Sequence, residues 1–115
     1  AHIDDAHKYT KGAGIKVAVL DTGYSPHDDI GSNVVQVMNR AGTQTADDHQ
    51  GHGTHVCGII AALENDMGII GVAPQAQLYP IKVLGDGGQG GFDTIEAGIR
   101  DAIELKVDII SMSLG

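Results

Sequence analysis

Apolar positions along this chain follow two rhythms. Ile15–Asp21 (IKVAVLD) is a short β-branched run that stops at DTG, which predicts a buried strand and a turn. Asn33–Asn39 (NVVQVMN) and Gln77–Leu84 (QLYPIKVL) are further predicted strands. Pro80 argues against a central place for the latter, because proline cannot donate to a ladder. His52–Ala62 (HGTHVCGIIAA) changes to small and apolar residues and predicts a helix. Its glycines, Gly53 and Gly58, each cost about 1 kcal/mol in a helix interior, so close packing against a neighbour is expected. Phe92–Leu105 puts Phe92, Ile95, Ile99, Ala102 and Ile103 on one face and pairs Glu96 with Arg100 on the other, an amphipathic helix. VDIISMSLG closes the chain as a fourth strand, and the consecutive Ile109 and Ile110 predict burial on both faces.

Strands alternating with helices imply an α/β fold, a doubly wound and mostly parallel sheet with flanking helices. The 115 residues allow one domain at most. An interior strand with nothing after it is expected of part of a larger domain, and its open edge would favour association.

Apolar residues make up 42%, enough for a packed core, but aromatics are only 3%, so that core must be aliphatic and alanine-rich. The net charge of −8 argues against a nucleic-acid partner, since no basic cluster can replace phosphate counterions. No run approaches the ~20 apolar residues of a membrane span. AHIDDAHKYTKG lacks the apolar stretch of a leader. Cys57 is the sole cysteine, which excludes an intrachain disulfide and fits a cytosolic protein, or a secreted one stable without crosslinks.

HQGHGTH at residues 49–55 brings three histidines together just after Asp47 and Asp48. Zinc is disfavoured, because His49, His52 and His55 at i, i+3, i+6 spread over roughly 600° of helix rotation. A histidine base suits the pattern better. Near a helix N-terminus the macrodipole keeps the His52 ring neutral, and a carboxylate on its other nitrogen would fix the tautomer. Asp21, at the carboxyl end of a strand, is a candidate for that carboxylate; the plainer reading is a turn aspartate bonded to its own backbone. GDGGQGG contains G-x-G-x-x-G (Gly85, Gly87, Gly90), but the acid that a dinucleotide fold wants after the next strand is replaced by Asp108 before it. DTG also permits a retroviral-type aspartic protease, a homodimer donating one Asp per chain. Such folds are nearly all β and have no use for HGTHVCG.

Taken together and in order, VAVLDTG, HGTHVCG, GVAP, KVLG and ISMSLG resemble the subtilisin-like serine proteases, from about residue 8 to residue 115. The likeness covers only the N-terminal part of that family's catalytic domain, so residues 1–115 are expected to be such a part. It implies an Asp-His-Ser endopeptidase with Asp21 as triad aspartate and His52 as general base; Asp…His…Ser is the chain order of subtilisin itself. It implies that Ser113, Leu114 and Gly115 pair with substrate backbone and wall the S1 pocket. Gly88 and Gly90 would pair from the other side, with Phe92 near S4. LENDMGI resembles the family's calcium loop. Ca²⁺ would be held by the Asn65 side chain, the carbonyls of Leu63, Met67 and Ile69, and the Asp29 carboxylate. A further ligand of the family, from a longer N-terminal segment, has no counterpart here.

Two departures matter. Cys57 stands where the family usually has alanine, turned away from His52, and is expected to be a small core residue. The four serines, Ser25, Ser32, Ser111 and Ser113, lie in nothing like the family's GTSMA motif, and the oxyanion asparagine segment is missing. The chain alone is therefore expected not to hydrolyse peptides. Its partners would be a polypeptide substrate and the rest of the catalytic domain as a second chain; a calcium- or peptide-binding remnant is the alternative. The family leans toward secretion.

Overall fold

The computed structural model describes residues 2–26, 31–63 and 70–113. Four strands form one parallel sheet in the order β2-β3-β1-β4. They are β1 (Lys16–Asp21), β2 (Met38–Asn39), β3 (Gln77–Lys82) and β4 (Ile109–Met112). Three helices accompany them, α1 (Ile3–His7), α2 (His52–Ala61) and α3 (Phe92–Glu104). The α/β class and parallel sheet expected from the pattern are what the chain forms.

Alternation along β1 explains why the sheet is covered on both faces. Val17 and Val19 point into one core with Cys57 and Ala61 of α2 and with Leu78 of β3. Ala18 and Leu20 point into the other, with Tyr79, Ile81, Val83 and Ala102 of α3. By the same parity Asp21 on β1 and Lys82 on β3, which are register partners, share the α2 face at the carboxyl end of the sheet.

Four expectations need correction. The Asn33–Asn39 strand shrinks to Met38–Asn39, preceded by a 3₁₀ turn at Gly31–Asn33 and an isolated bridge from Val34 to Leu78. Val35 and Val37 are both exposed at this edge. Second, β3 is central despite Pro80. Val35 N donates to Leu78 O and Arg40 N to Lys82 O, so residues 78, 80 and 82 address the β2 side. The missing Pro80 donor thus falls in the gap between the Val34 bridge and the start of β2.

Third, α3 turns only part of the expected face to the sheet: Ala102 is buried and Ile95 and Ile99 pack against the core, but the two outer members of the stripe do not. Gly98, Asp101 and Ala102 are buried, whereas Phe92 is 92% and Ile103 66% exposed. Gly98 sets this rotation: a Cβ there would lie 2.5 Å from Val83 Cγ1 and 3.2 Å from Leu20 Cδ2. The helix seats against the sheet through its missing side chain, and the isoleucine stripe flanks the contact. Asp101 is buried because Arg40 meets it with two bonds, Nε to Oδ2 at 2.6 Å and Nη2 to Oδ1 at 2.8 Å. Glu96 and Arg100 pair as expected. Fourth, β4 pairs with β1 and forms a sheet edge among the described residues, leaving Ile109 52% exposed rather than buried on both faces.

Candidate active site

The site lies where β1 ends. Asp21 is 1% exposed, and its carboxylate faces the first residue of α2. His52 Nδ1 is 2.8 Å from Asp21 Oδ1 and 3.0 Å from Oδ2. Thr22 N also donates to Asp21 Oδ1, at 2.7 Å. One carboxylate therefore bonds both its own turn backbone and the imidazole. The acceptor at Nδ1 selects the tautomer with its proton there, leaving Nε2 as the proton acceptor on a ring that is 46% exposed.

Close approach of α2 to the β1 turn makes this contact. A Cβ at Gly53 would collide with the Gly23 carbonyl, so only glycine lets the first turn of the helix come that near. Asp48 then fixes the helix start. It accepts N–H bonds from Gln50 at 3.1 Å, Gly51 at 2.8 Å and Thr54 at 2.8 Å, and the Thr22 hydroxyl at 2.8 Å. Burial pushes this carboxyl up, but bonds from Thr54, Gly51 and Thr22 outweigh it and hold the group at about 2. Thr22 Oγ1 also accepts Gly53 N at 2.9 Å, and Gln50 Oε1 accepts His52 N at 2.9 Å.

Lys82 is the other fixed charge. It is fully buried, and its ammonium donates to Thr22 O at 2.7 Å, Asp47 O at 2.8 Å and Asp86 Oδ1 at 2.9 Å. All three donors are used, the condition under which a buried cation is tolerated. The Lys82 hydrogen bond holds the Asp86 carboxyl below its ordinary range.

An open cleft of about 510 Å³ has Thr22, His52, Gly88, Gly90 and Ser113 in its walls, with Leu84 and Ile95 as apolar lining. Four of the residues singled out from sequence thus share one cavity, with Asp21 behind His52. Phe92 lines a separate exposed groove on α3 with Ile99 and Ile103. Leu114, Gly115, Asp29, Asn65, Met67 and Ile69 lie outside the described residues; Leu63 is half-buried just past α2. Among the described residues no three His, Cys, Asp or Glu side chains converge, and no helix is long and apolar enough to cross a membrane. Asp108 bonds Lys16 N at 2.8 Å, at the opposite end of the sheet from the glycine loop.

Sequence reasoning missed Thr22, Asp48, Gln50 and Lys82. Only Lys82 left a signal, a single charge inside the apolar run LYPIKVL. The roles of the other three depend on loop geometry that no local pattern carries.

A buried carboxylate bonded to an imidazole at the carboxyl edge of a parallel α/β sheet is an arrangement that can accept and return a proton. Residues 12–115 match the subtilase family, and the chain belongs to it. It is 52% identical to an intracellular serine protease of Paenibacillus polymyxa over 112 residues, covering 92% of this chain and 34% of the relative. It is 50% identical to the major intracellular serine protease of Bacillus subtilis (strain 168), covering 94% of this chain and 36% of that protein. With subtilisin BL of Lederbergia lenta the identity is 45%, over 90% of this chain and 38% of that protein. The chain spans about a third of the length of these relatives.

Proposed function

We propose that this chain is the Asp- and His-bearing part of a serine endopeptidase whose nucleophile comes from another segment. The observation that carries the reading is the Asp21–His52 contact at the rim of the cleft. His52 Nε2 would take the proton from a serine hydroxyl as the oxygen attacks the scissile carbonyl, and then return it to the leaving amine. Asp21 would stabilise the imidazolium formed between those steps. An extended polypeptide would lie between Gly88–Gly90 and Ser113–Gly115 as an added strand. Alone, the chain would lack both the serine and the oxyanion donor, and loss of such a donor costs ~10²–10³ in rate by itself. The retroviral-type reading of DTG finds no support in a parallel sheet with flanking helices.

We further propose that Ca²⁺ is held by Asp29, Leu63, Asn65, Met67 and Ile69. One carboxylate, one amide and three carbonyls make an all-oxygen donor set, which suits a hard cation of flexible geometry. Bound there, the ion would tie the segment after α2 to the segment that carries Asp29.

Native labelling with a fluorophosphonate probe, followed by denaturing mass spectrometry of every polypeptide that co-purifies, tests the catalytic reading. Label on a serine outside residues 1–115, lost with His52→Ala, is the expected result. Label on Ser25, Ser32, Ser111 or Ser113 would show that the nucleophile is in this chain. No label on any species would leave peptide and calcium binding as the functions.

A further inference from the structure

Of the described charged residues around the site that the proton transfer does not use, Lys82 alone is a fully buried cation. Lys82 is buried, makes no contact with His52 among its bonds, and sits where a methionine would pack without desolvating a charge. Buried ion pairs are often no more stable than apolar replacements of the same volume, so stability alone does not account for an ammonium there.

What its three bonds reach is informative. Thr22 O belongs to the turn that follows Asp21, and the same residue's N–H holds the Asp21 carboxylate. Asp47 O precedes Asp48, which fixes the start of α2 and so the place of His52. Asp86 opens the loop that runs to Gly88 and Gly90 in the cleft wall, a loop closed on itself by Gly85 N to Gln89 O at 2.8 Å. The Lys82 backbone is meanwhile fixed between its register partners, Asp21 on β1 and Asn39 on β2. One ammonium therefore joins three chain segments that share no strand or helix.

We propose that Lys82 is a positioning residue that locks the loop of residues 85–90 to the Asp21–His52 pair, so that bound peptide and imidazole keep one fixed relation. The inference rests on the peptide-cleft reading above. Within it, Asp86 is the loop's half of the lock, and the two carbonyl bonds are the half that faces the catalytic pair. Rotation of the lysine stem cannot relax one half alone, because all three donors are committed.

The test uses the 115-residue chain, NMR, and a blocked, uncharged tetrapeptide as probe. An uncharged probe removes any direct attraction to Asp86. Asp86→Asn is expected to weaken probe binding roughly tenfold, the effect of losing a charge-assisted hydrogen bond, and Asp86→Glu to recover part of it. Lys82→Met is expected to lose the same affinity and also to shift or broaden the low-field His52 Nδ1 proton resonance, which packing alone would not move. A folded Lys82→Met chain that keeps both the affinity and the resonance overturns the proposal, as does unchanged affinity in Asp86→Asn. Should Lys82→Met fail to fold, the exposed Asp86 variants decide alone. An unsubstituted chain that binds no probe overturns the cleft reading and this inference with it; failure of the inference alone looks different, with all chains binding equally.

Discussion

The Thr22 hydroxyl donates to Asp48 Oδ1 at 2.8 Å, joining the residue beside Asp21 to the carboxylate that starts the His52 helix. Asp48 is held at about 2, below its ordinary 3.8. The folded chain therefore binds fewer protons than the unfolded one between those values. Its contribution to stability is complete above about pH 4 and is lost as pH falls toward about 2. The shift corresponds to at most ~2.5 kcal/mol, and solvent access to the group reduces this to about 1 kcal/mol. Urea unfolding of the chain and of Asp48→Asn should differ by that amount at neutral pH and converge on acidification. A gap that stays constant with pH would show that the carboxylate's charge contributes nothing.

Gly53→Ala places a methyl group against the Gly23 carbonyl and 3.2 Å from Thr22 Oγ1. Either α2 moves off the β1 turn or the turn distorts, at a cost of about 1–3 kcal/mol as for other overpacked sites. The expected outcome is a lower urea midpoint together with loss of the low-field His52 Nδ1 proton. Retention of that proton at full intensity would mean that the helix reaches Asp21 without the close approach.

How much of this was legible beforehand follows from range. The β1 run and the α2 pattern are local, and their ends place Asp21 and His52 correctly because strand and helix termini are written in adjacent residues. The face of α3 was legible in Ile95, Ile99 and Ala102, which pack on the core, but not in Phe92 and Ile103, because seating is centred on the missing side chain of Gly98 against Val83 and Leu20. The Pro80 objection failed for a similar reason: the cost of a missing donor depends on what lies opposite, here a gap in β2. Lys82 was missed although it is a single charge in an apolar run, and its partners lie in three loops that sequence cannot bring together. Membership of the family was legible from five motifs in order, and residues 12–115 match it.

Cys57 should behave as a core atom rather than a thiol reagent. It is fully buried, and burial, followed by the charges of Asp21 and Asp48, pushes it up to about 12. Against its ordinary value of 9.0, that leaves roughly 10³-fold less thiolate near pH 8. Iodoacetamide should label the native chain about three orders of magnitude more slowly than the urea-unfolded chain. Comparable rates would place the sulfur at the surface.

Asp21→Asn should preserve shape and remove function. The amide can still meet His52 Nδ1, but it no longer favours the tautomer that leaves Nε2 free. In the active protein proposed above, with the serine supplied by another segment, kcat is expected to fall by ~10⁴ with little change in peptide affinity. Steady-state kinetics and probe binding measured side by side check this. A loss confined to KM would move Asp21 from the proton-transfer machinery to the binding surface.

Calcium should act on stability before it acts on catalysis. If Asn65 and its neighbours bind the ion only in the folded chain, saturating Ca²⁺ at about 100 times its Kd adds ~2.7 kcal/mol. The thermal midpoint should rise with Ca²⁺, return with a chelator, and respond little to Mg²⁺, which demands a smaller octahedral cage. Asn65→Ala should abolish most of the rise while leaving the His52 Nδ1 proton in place, since Asp21 and His52 are positioned by Thr22, Asp48 and Gly53. A midpoint indifferent to Ca²⁺ in the unsubstituted chain would remove the ion from the account of this chain.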